Sequence, residues 1–397
     1  MKTKLFFTIC SLIMFLTYSC EQREAIAPES SADKEAFVET DEFLKCADNS
    51  EGTVITVQLY SPSLKENLLG DPELRNVNVY LPRNYFLNRN RRFPVIYYLH
   101  GLPASENSLL DPVPFEVLRQ VAQLQAPVDF PEEGFTTWVN NLMDEDMEDA
   151  IIVMPNASTR YAVSWYINSS VQGNYEDYIT KDLISFIDSH FRTIPSANFR
   201  AVTGHSAGGY GALSVGIKYP NIFRYVAGLS PGHFPEEFVT TCSQYMLFED
   251  QMWGFTGPSP YNMSEPYKFV TNTIYSLAAA VSPNSENPPY LVDLPFTYDQ
   301  TGQPIINQEI MTKWNAYSLF ALAEINRKKI DKLKIIYFDC GIYDDLLMNL
   351  PNIAFHEFLD ERGISHQFET YEGTHFSHLY DRLGKVFIDL SNSFPAN

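Results

Sequence analysis

Short apolar runs recur along the chain from about residue 53, separated by segments with helical periodicity. Val54–Leu59 and Asn76–Leu81 alternate apolar and polar positions, which is typical of half-buried strands. Pro94–Leu99 and Ala150–Met154 are continuously apolar, which is typical of buried parallel strands. Four later runs also predict strands, at residues 199–203, 225–229, 334–338 and 367–371.

Helical periodicity fills much of the sequence between these runs. Residues 175–190 and 351–362 predict helices, and residues 104–148 are expected to hold helix and loop. A last helix is predicted from Phe376, with an apolar stripe at positions 376, 379, 380, 383, 386, 387 and 390. Strands that alternate with helices predict an α/β fold with a mostly parallel central sheet and helices on both faces. In such sheets ligands bind beyond the carboxyl ends of the strands.

One long segment departs from this alternation of strands and helices. Residues 231–332, about 100 residues, are rich in Pro, Tyr and Phe and show no regular alternation. No repeat or second domain is evident, so residues 51–397 are interpreted as one catalytic domain. Within it, 231–332 is predicted to be an insertion that forms a lid or pocket wall.

The N-terminus has the pattern of an export signal. Lys2 and Lys4 precede an uncharged run, Leu5–Tyr18, which is followed by the small residue Ser19 and then by Cys20. Residues 1–19 are predicted to be a signal peptide, and Cys20 resembles the lipid-attachment site of a bacterial lipoprotein, although Thr17 stands where leucine is preferred. Cleavage without lipid attachment stays open. The polar stretch 20–50 is predicted to tether the domain to a membrane of the cell envelope, facing the periplasm or the cell surface.

The net charge and the cysteine content limit the kinds of binding partner and cofactor that are expected. The chain of 397 residues has a formal net charge of −21 and no basic cluster, so nucleic acid is not expected to bind. Cys10 is lost with the signal and Cys20 is expected to carry lipid, so Cys46, Cys242 and Cys340 remain, an odd number without metal-type spacing. A Cys46–Cys242 disulfide is left open. The acidic run 144–149 lacks the glycine and ligand spacing of a calcium loop, and no metal or other cofactor is expected.

The strongest chemical signal is the pentapeptide Gly204-His-Ser206-Ala-Gly208, which joins a predicted strand to a predicted helix. A serine at such a sharp turn is exposed for nucleophilic attack, and the glycines allow neighbouring backbone to pass closely. The helix that starts at the serine directs its first N–H groups toward developing negative charge. The alternative is a plain Gly/Ser-rich turn.

A nucleophilic serine needs a base and an acid, expected in the order Ser, Asp or Glu, His. Asp344 lies on the loop after strand 334–338, and His375 lies after strand 367–371. All three side chains therefore fall at the same edge of the predicted sheet. Asp345 is an alternative acid, and His378 an alternative base.

At these residues the chain resembles the esterase D-like group of α/β hydrolases, which includes S-formylglutathione hydrolases, feruloyl and acetylxylan esterases, enterochelin-type esterases and mycolyltransferases. The resemblance covers roughly residues 53–392. It rests on 61–70, 79–82, 98–101, 164–169, the elbow with 209–212, and 373–375. It implies an α/β-hydrolase fold with Asp344 as the last Asp of an Asp-x-Gly-x-x-Asp pattern. It also implies an oxyanion hole formed by the backbone N–H groups of Leu102 and Ala207.

Other residues are candidates for the substrate pocket. Trp165 and Tyr166 could stack on a sugar or an aromatic acyl group, or could simply be buried in the core. His100 and His233 also lie near the predicted edge. His205 is expected to have a packing role, and His190, His356 and His366 are expected to be surface or core residues.

Together these features predict an exported serine carboxylesterase that removes acyl groups, acetyl or feruloyl, from carbohydrate. Its partner would be a small-molecule or oligosaccharide ester, and membrane contact would come only through the N-terminal lipid anchor. Acyl transfer to a sugar or lipid hydroxyl is an alternative, as is a non-catalytic glycan-binding relative.

Overall fold

A computed structural model describes residues 51–102, 104–113, 116, 128–254, 257–261 and 268–396. The predicted signal peptide and tether, with Cys20 and Cys46, lie outside these residues. Among the described residues, no helix has the length and apolar character needed to cross a bilayer. Cys242 and Cys340 are buried free thiols.

The central feature is a sheet of eight strands. They span Thr53–Tyr60 (β1), Leu74–Leu81 (β2), Val95–Leu99 (β3), Ile151–Pro155 (β4), Arg200–His205 (β9), Tyr225–Leu229 (β10), Ile335–Gly341 (β13) and Gln367–Tyr371 (β14). Their order in the sheet is β1-β2-β4-β3-β9-β10-β13-β14. β1 and β2 form an antiparallel hairpin, and β2 pairs antiparallel with β4. All pairings from β4 to β14 are parallel.

Three small hairpins lie outside this sheet. They consist of Ser158–Thr159 (β5) with Ala162–Val163 (β6), Asn168–Ser169 (β7) with Gly173–Asn174 (β8), and Phe296–Tyr298 (β11) with Pro304–Ile306 (β12).

Helices cover both faces of the sheet, as the sequence predicts. They are Arg83–Leu87 (α1), Phe135–Glu145 (α2), Tyr175–Asp177 (α3), Ile184–His190 (α4), Ala207–Lys218 (α5), Glu236–Trp253 (α6), Phe269–Val281 (α7), Gln308–Asn315 (α8), Leu319–Ile325 (α9), Arg327–Ile330 (α10), Asn349–Glu361 (α11) and Leu379–Asn392 (α12). A π-helical segment, Tyr178–Leu183, joins α3 to α4, so the predicted helix 175–190 is continuous but locally widened.

Two apolar clusters occupy the two faces of the sheet. The smaller one contains the apolar stripe of α12 together with Phe135 and Val139 of α2. The larger one contains α5 and much of the segment 231–332, including the fully buried Trp314. Every residue from Thr271 to Val281 in α7 is buried. The segment 231–332 therefore contributes to the core, and its role as a lid or pocket wall stays a prediction.

The last helix differs from its prediction. α12 begins at Leu379 rather than at Phe376, because His378 adopts a left-handed conformation with a φ of 55°. His378 consequently precedes the helix instead of lying within it. Residues 372–378 form a loop, and this loop carries His375.

Candidate active site

Ser206 occupies a strained turn between β9 and α5, with φ 60° and ψ −121°. The turn packs tightly against the end of β3. A Cβ on Gly208 would lie 1.8 Å from the Leu99 carbonyl oxygen, and one on Gly204 would lie 2.4 Å from the same atom. The Ser206 N–H donates to the Leu229 carbonyl at 2.9 Å, and its carbonyl accepts from the Gly232 N–H at 3.0 Å. Neighbouring strands thus hold the serine in the conformation of a nucleophile elbow.

His375 and Asp344 form a buried pair at the carboxyl ends of β14 and β13. The distance between His375 Nδ1 and Asp344 Oδ2 is 2.7 Å, and both side chains are fully buried. Asp344 Oδ1 accepts the backbone N–H groups of Leu346 and Met348 at 3.0 and 3.2 Å. Burial alone would raise the pKa of Asp344, but His375 and these donors hold that pKa below its usual range. The carboxylate therefore accepts the Nδ1 proton, which leaves a lone pair on His375 Nε2.

Neither alternative residue takes the place of this pair. Asp345 Oδ1 accepts the backbone N–H of His375 at 3.3 Å and makes no hydrogen bond to the imidazole. His378 is exposed, and its Nδ1 lies 3.8 Å from Asp381 Oδ2. Of the candidates, Asp344 and His375 are the acid and base that contact each other.

The serine turn and the histidine loop are joined through His205. Its Nε2 donates to the His375 carbonyl oxygen at 3.0 Å, and the two ring centroids lie 4.7 Å apart. Burial and the adjacent His375 hold the pKa of His205 well below its usual range, so this imidazole is neutral. His375 Nε2 is buried and has no hydrogen-bond partner, Ser206 included, among the residues that the structure describes. His375 Nε2 is therefore available to accept a proton. Hydrogen bonds within a catalytic site, such as one between a serine and a histidine, commonly tighten only when substrate binds.

The two expected oxyanion donors flank the serine. Ala207 is the first residue of α5, where an N–H has no partner within the helix. Leu102 follows Gly101, and a Cβ on Gly101 would lie 2.9 Å from Ser206 Cβ and 2.7 Å from the His205 carbonyl oxygen. Within the described chain, the N–H groups of Leu102 and Ala207 donate no hydrogen bond. The arrangement fits two free donors beside a reacting carbonyl.

A Gly101→Ala variant tests this loop, because backbone donors cannot be deleted directly. The added Cβ must displace the loop from His205 and Ser206, and it moves the Leu102 N–H with it. We expect kcat/KM for p-nitrophenyl acetate to fall by about 10²–10³-fold, the effect of losing one oxyanion donor. The control is Gly384→Ala in α12, where the nearest atom to a new Cβ is a Trp138 ring carbon at 3.3 Å. Full activity in a folded Gly101→Ala protein would contradict the assignment.

His100 and Tyr166 make hydrogen bonds that hold the loop carrying Leu102 in place. His100 Nδ1 lies 3.0 Å from the Gly101 carbonyl oxygen, and its Nε2 accepts the Ala157 N–H at 2.9 Å. Burial lowers the pKa of His100 to about 4, so the ring is neutral. The Tyr166 hydroxyl donates to the His100 carbonyl at 2.7 Å, and both residues are buried. With their polar atoms engaged by backbone, they hold the loop that carries Leu102.

Trp165 and His233 are also buried. Trp165 Nε1 donates to Ser276 Oγ of α7 at 2.9 Å, and its ring would lie 2.8 Å from a Cβ on Gly232, the residue bonded to the Ser206 carbonyl. His233 Nε2 lies 3.3 Å from Asn352 Oδ1, and burial lowers its pKa to about 4. Trp165 therefore packs beside the elbow, whereas His233 packs among Phe320 and Phe355. A substrate contact by any of the four pocket candidates stays a prediction.

A buried ion pair that was not predicted from the sequence connects two elements of the site. Arg382 Nη1 of α12 donates to Asp339 Oδ1 of β13 at 2.7 Å, and the same oxygen accepts the Ser230 N–H at 2.9 Å. The pair links the strand that leads to Asp344 with the helix that follows His375. A signal was available, because residue 382 lies on the apolar stripe between Leu379 and Val386. A charged residue at such a position requires a buried partner.

In the described part of the chain, one group of three side chains could hold a metal ion. It consists of His356, Asp360 and His366, and it lies at the opposite end of β14 from His375.

The sequence of this chain is similar to those of known proteins. Residues 72–387 match the family model described as "Putative esterase". The S-formylglutathione hydrolase of Saccharomyces cerevisiae is 27% identical over 181 residues, which cover 40% of this chain and 56% of that enzyme. The chain therefore matches little more than half the length of this curated relative.

Solved structures show the same fold. A ferulic acid esterase aligns with a TM-score of 0.53 and 18% identity, covering 87% of this chain and 99% of the other. An S-formylglutathione hydrolase from Staphylococcus aureus aligns with a TM-score of 0.51 and 16% identity, covering 86% and 100% of the two chains. These alignments confirm the predicted α/β-hydrolase fold. Since the family model spans most of the sequence, the chain belongs to the "Putative esterase" family of α/β hydrolases.

Proposed function

We propose that this protein is an exported serine carboxylesterase that uses Ser206, His375 and Asp344. The main support is the combination of a strained serine at the strand-to-helix elbow with a buried His–Asp pair whose Nε2 has no hydrogen-bond partner among the described residues. Membership of an esterase family supports the same chemistry.

The proposed reaction follows from the donors and acceptors of the site. Ser206 Oγ attacks the ester carbonyl carbon and gives its proton to His375 Nε2. The Leu102 and Ala207 N–H groups stabilise the oxyanion of the tetrahedral intermediate, and Asp344 stabilises the imidazolium. The intermediate collapses, and the alcohol leaves with the proton from Nε2. Water then attacks the acyl-enzyme and loses a proton to His375 Nε2. The second tetrahedral intermediate collapses, Ser206 Oγ leaves with that proton, and the acid is released.

We propose acetyl or feruloyl esters on carbohydrate as substrates. The predicted export signal argues against S-formylglutathione, whose chemistry belongs to the cytosol. One aligned structure is a ferulic acid esterase. The test is a hydrolysis screen of acetylated and feruloylated oligosaccharides against S-formylglutathione, using purified protein without residues 1–20. A strong preference for the thioester would contradict the carbohydrate assignment.

Two other functions use the same scaffold. An acyltransferase would need the same triad and an acceptor site that excludes water, and product analysis with and without a sugar acceptor separates it from a hydrolase. A glycan-binding relative would bind sugar without turnover. The free Nε2 of His375 favours the catalytic alternatives over this one.

The N-terminal anchor is a separate proposal. Attachment of lipid at Cys20 would hold the enzyme at the bacterial cell envelope. Mass spectrometry of the mature N-terminus tests it, since lipidation places a modified Cys20 at the first position. An unmodified N-terminus would favour plain cleavage.

The lowered pKa of Asp344 predicts the shape of the pH profile. As pH falls, Asp344 stays ionised over a wider range than an ordinary Asp, because its carboxylate takes up a proton only at lower pH. We expect log kcat/KM for p-nitrophenyl acetate to fall with a slope of one on the acid side. A slope of two would mean that a second group, such as Asp344, titrates in the same range.

A further inference from the structure

A cluster of three ligand-type side chains lies where α11 ends and β14 begins. His356 and Asp360 are one helical turn apart on α11, and His366 directly precedes β14. Their nitrogen and oxygen atoms lie within 4.8 Å of one another. We propose that these residues bind one late first-row divalent cation of the Zn²⁺ type, which prefers imidazole and carboxylate ligands.

A hydrogen bond fixes the tautomer of the His366 ring. Its Nδ1 lies 2.8 Å from the Ile364 carbonyl oxygen, and a carbonyl can only accept. Nδ1 therefore carries the proton, and Nε2 presents a lone pair. A backbone carbonyl that orients a histidine in this way is the usual outer partner of a zinc ligand.

The remaining contacts bring acceptors together. His356 Nδ1 lies 2.8 Å from His366 Nε2 and donates a hydrogen bond to its lone pair. His356 Nε2 then faces Asp360 Oδ2 at 3.5 Å, and His366 Nε2 lies 4.0 Å from Asp360 Oδ1. When a cation displaces this hydrogen bond, the His356 proton moves from Nδ1 to Nε2, which faces Asp360. His356 Nδ1, His366 Nε2 and the Asp360 carboxylate are then the three ligands.

The surroundings position the ligands without blocking the metal. The His366 ring is buried and stacks on Phe338 at 5.6 Å, and the His356 ring stacks on Phe368 at 5.0 Å. The nearby Arg362 is engaged with Glu324 at 2.6 Å. No Lys or Arg forms an ion pair with Asp360 within the described part of the chain.

Only small movements are needed to bind the ion. Nitrogen ligands of a tetrahedral Zn²⁺ lie about 2.0–2.1 Å from the metal and so about 3.3 Å from each other. The two imidazoles must separate slightly, and the carboxylate must approach. Both motions fall on the side chains of His356 and Asp360, which are 36% and 64% exposed, while His366 is 2% exposed. The exposed side leaves a coordination position for water.

The site would stabilise the fold rather than take part in ester hydrolysis. β14 has five residues, which span about 17 Å, and it separates His366 from the loop of His375. The metal would tie the end of α11, the helix after the Asp344 loop, to the start of β14. This site was not predictable from the sequence, because the spacing His-x₃-Asp-x₅-His matches no common metal motif.

Titration of the chelator-treated full chain with Zn²⁺ and Co²⁺ tests the proposal. We expect one equivalent to bind, Co²⁺ to give visible absorption bands, and a hundredfold excess of Zn²⁺ over Kd to raise Tm by about 4 °C. His356→Gln and Asp360→Asn change exposed side chains and should weaken Zn²⁺ binding at least tenfold, by analogy with other ligand-site changes. Esterase activity should be unaffected by either change.

The matched control is His378→Gln, which removes another exposed histidine beside an aspartate, Asp381, but without a third ligand. It should bind Zn²⁺ as the unmodified chain does. Equal Zn²⁺ affinity and an equal Tm shift in the unmodified chain and His356→Gln would overturn the site. Because the readout is metal binding, its failure leaves the proposed esterase activity standing.

Discussion

Replacing Ser206 with alanine is expected to lower kcat for p-nitrophenyl acetate by on the order of 10⁴–10⁶-fold. The hydroxyl is the atom that attacks the ester, and the remaining members of the site cannot form an acyl-enzyme without it. Alanine keeps a Cβ and tolerates the same strained φ of 60° as serine does, so the fold should be preserved. Steady-state kinetics, with Tm as a check on folding, measures the effect.

The control for this change is Ser189→Ala, which removes a hydroxyl on the exposed side of α4 that bonds only to its own helix and to His190. It should retain wild-type turnover. A loss of less than a few-fold in Ser206→Ala would contradict the nucleophile assignment. In that case the binding of glycans without turnover becomes the better account of the molecule.

Much of the architecture could be predicted from the chain because it depends on local patterns. The strands 225–229 and 367–371 have the predicted bounds, and the other main strands differ by one to three residues at their ends. The elbow was predictable since glycine is required at positions 204 and 208, where the backbone meets Leu99. These glycines can be identified from the sequence alone.

Features that depend on distant contacts could not be predicted in the same way. The start of the last helix at Leu379 instead of Phe376 reflects the left-handed conformation of His378, which the apolar pattern does not encode. The choice of Asp344 over Asp345 as the partner of the imidazole depends on loop geometry after β13, which places one carboxylate on Nδ1 and the other on a backbone N–H. His205 joins the serine and histidine loops across 170 positions of sequence, a pairing that only the fold creates.

The Asp344→Asn variant is expected to lower kcat by on the order of 10⁴-fold, through the tautomer of His375. Asp344 Oδ1 accepts two backbone N–H groups, from Leu346 and Met348, so the asparagine oxygen must occupy that position. The asparagine NH₂ group then takes the place of Oδ2, facing His375 Nδ1. Nδ1 is forced to accept a hydrogen bond, the proton moves to Nε2, and the imidazole loses the lone pair that removes the serine proton.

Asp345→Asn is the matched control. Asp345 Oδ1 accepts the His375 backbone N–H, and its Oδ2 has no partner in the described residues, so an amide fits with its oxygen at Oδ1 and its NH₂ at Oδ2. The tautomer of His375 is unchanged, and activity with p-nitrophenyl acetate should stay near that of the unmodified enzyme. A larger loss in Asp345→Asn than in Asp344→Asn would transfer the acid role to Asp345. Equal small losses would mean that His375 does not depend on a carboxylate, and the proposed proton transfer would have to be abandoned.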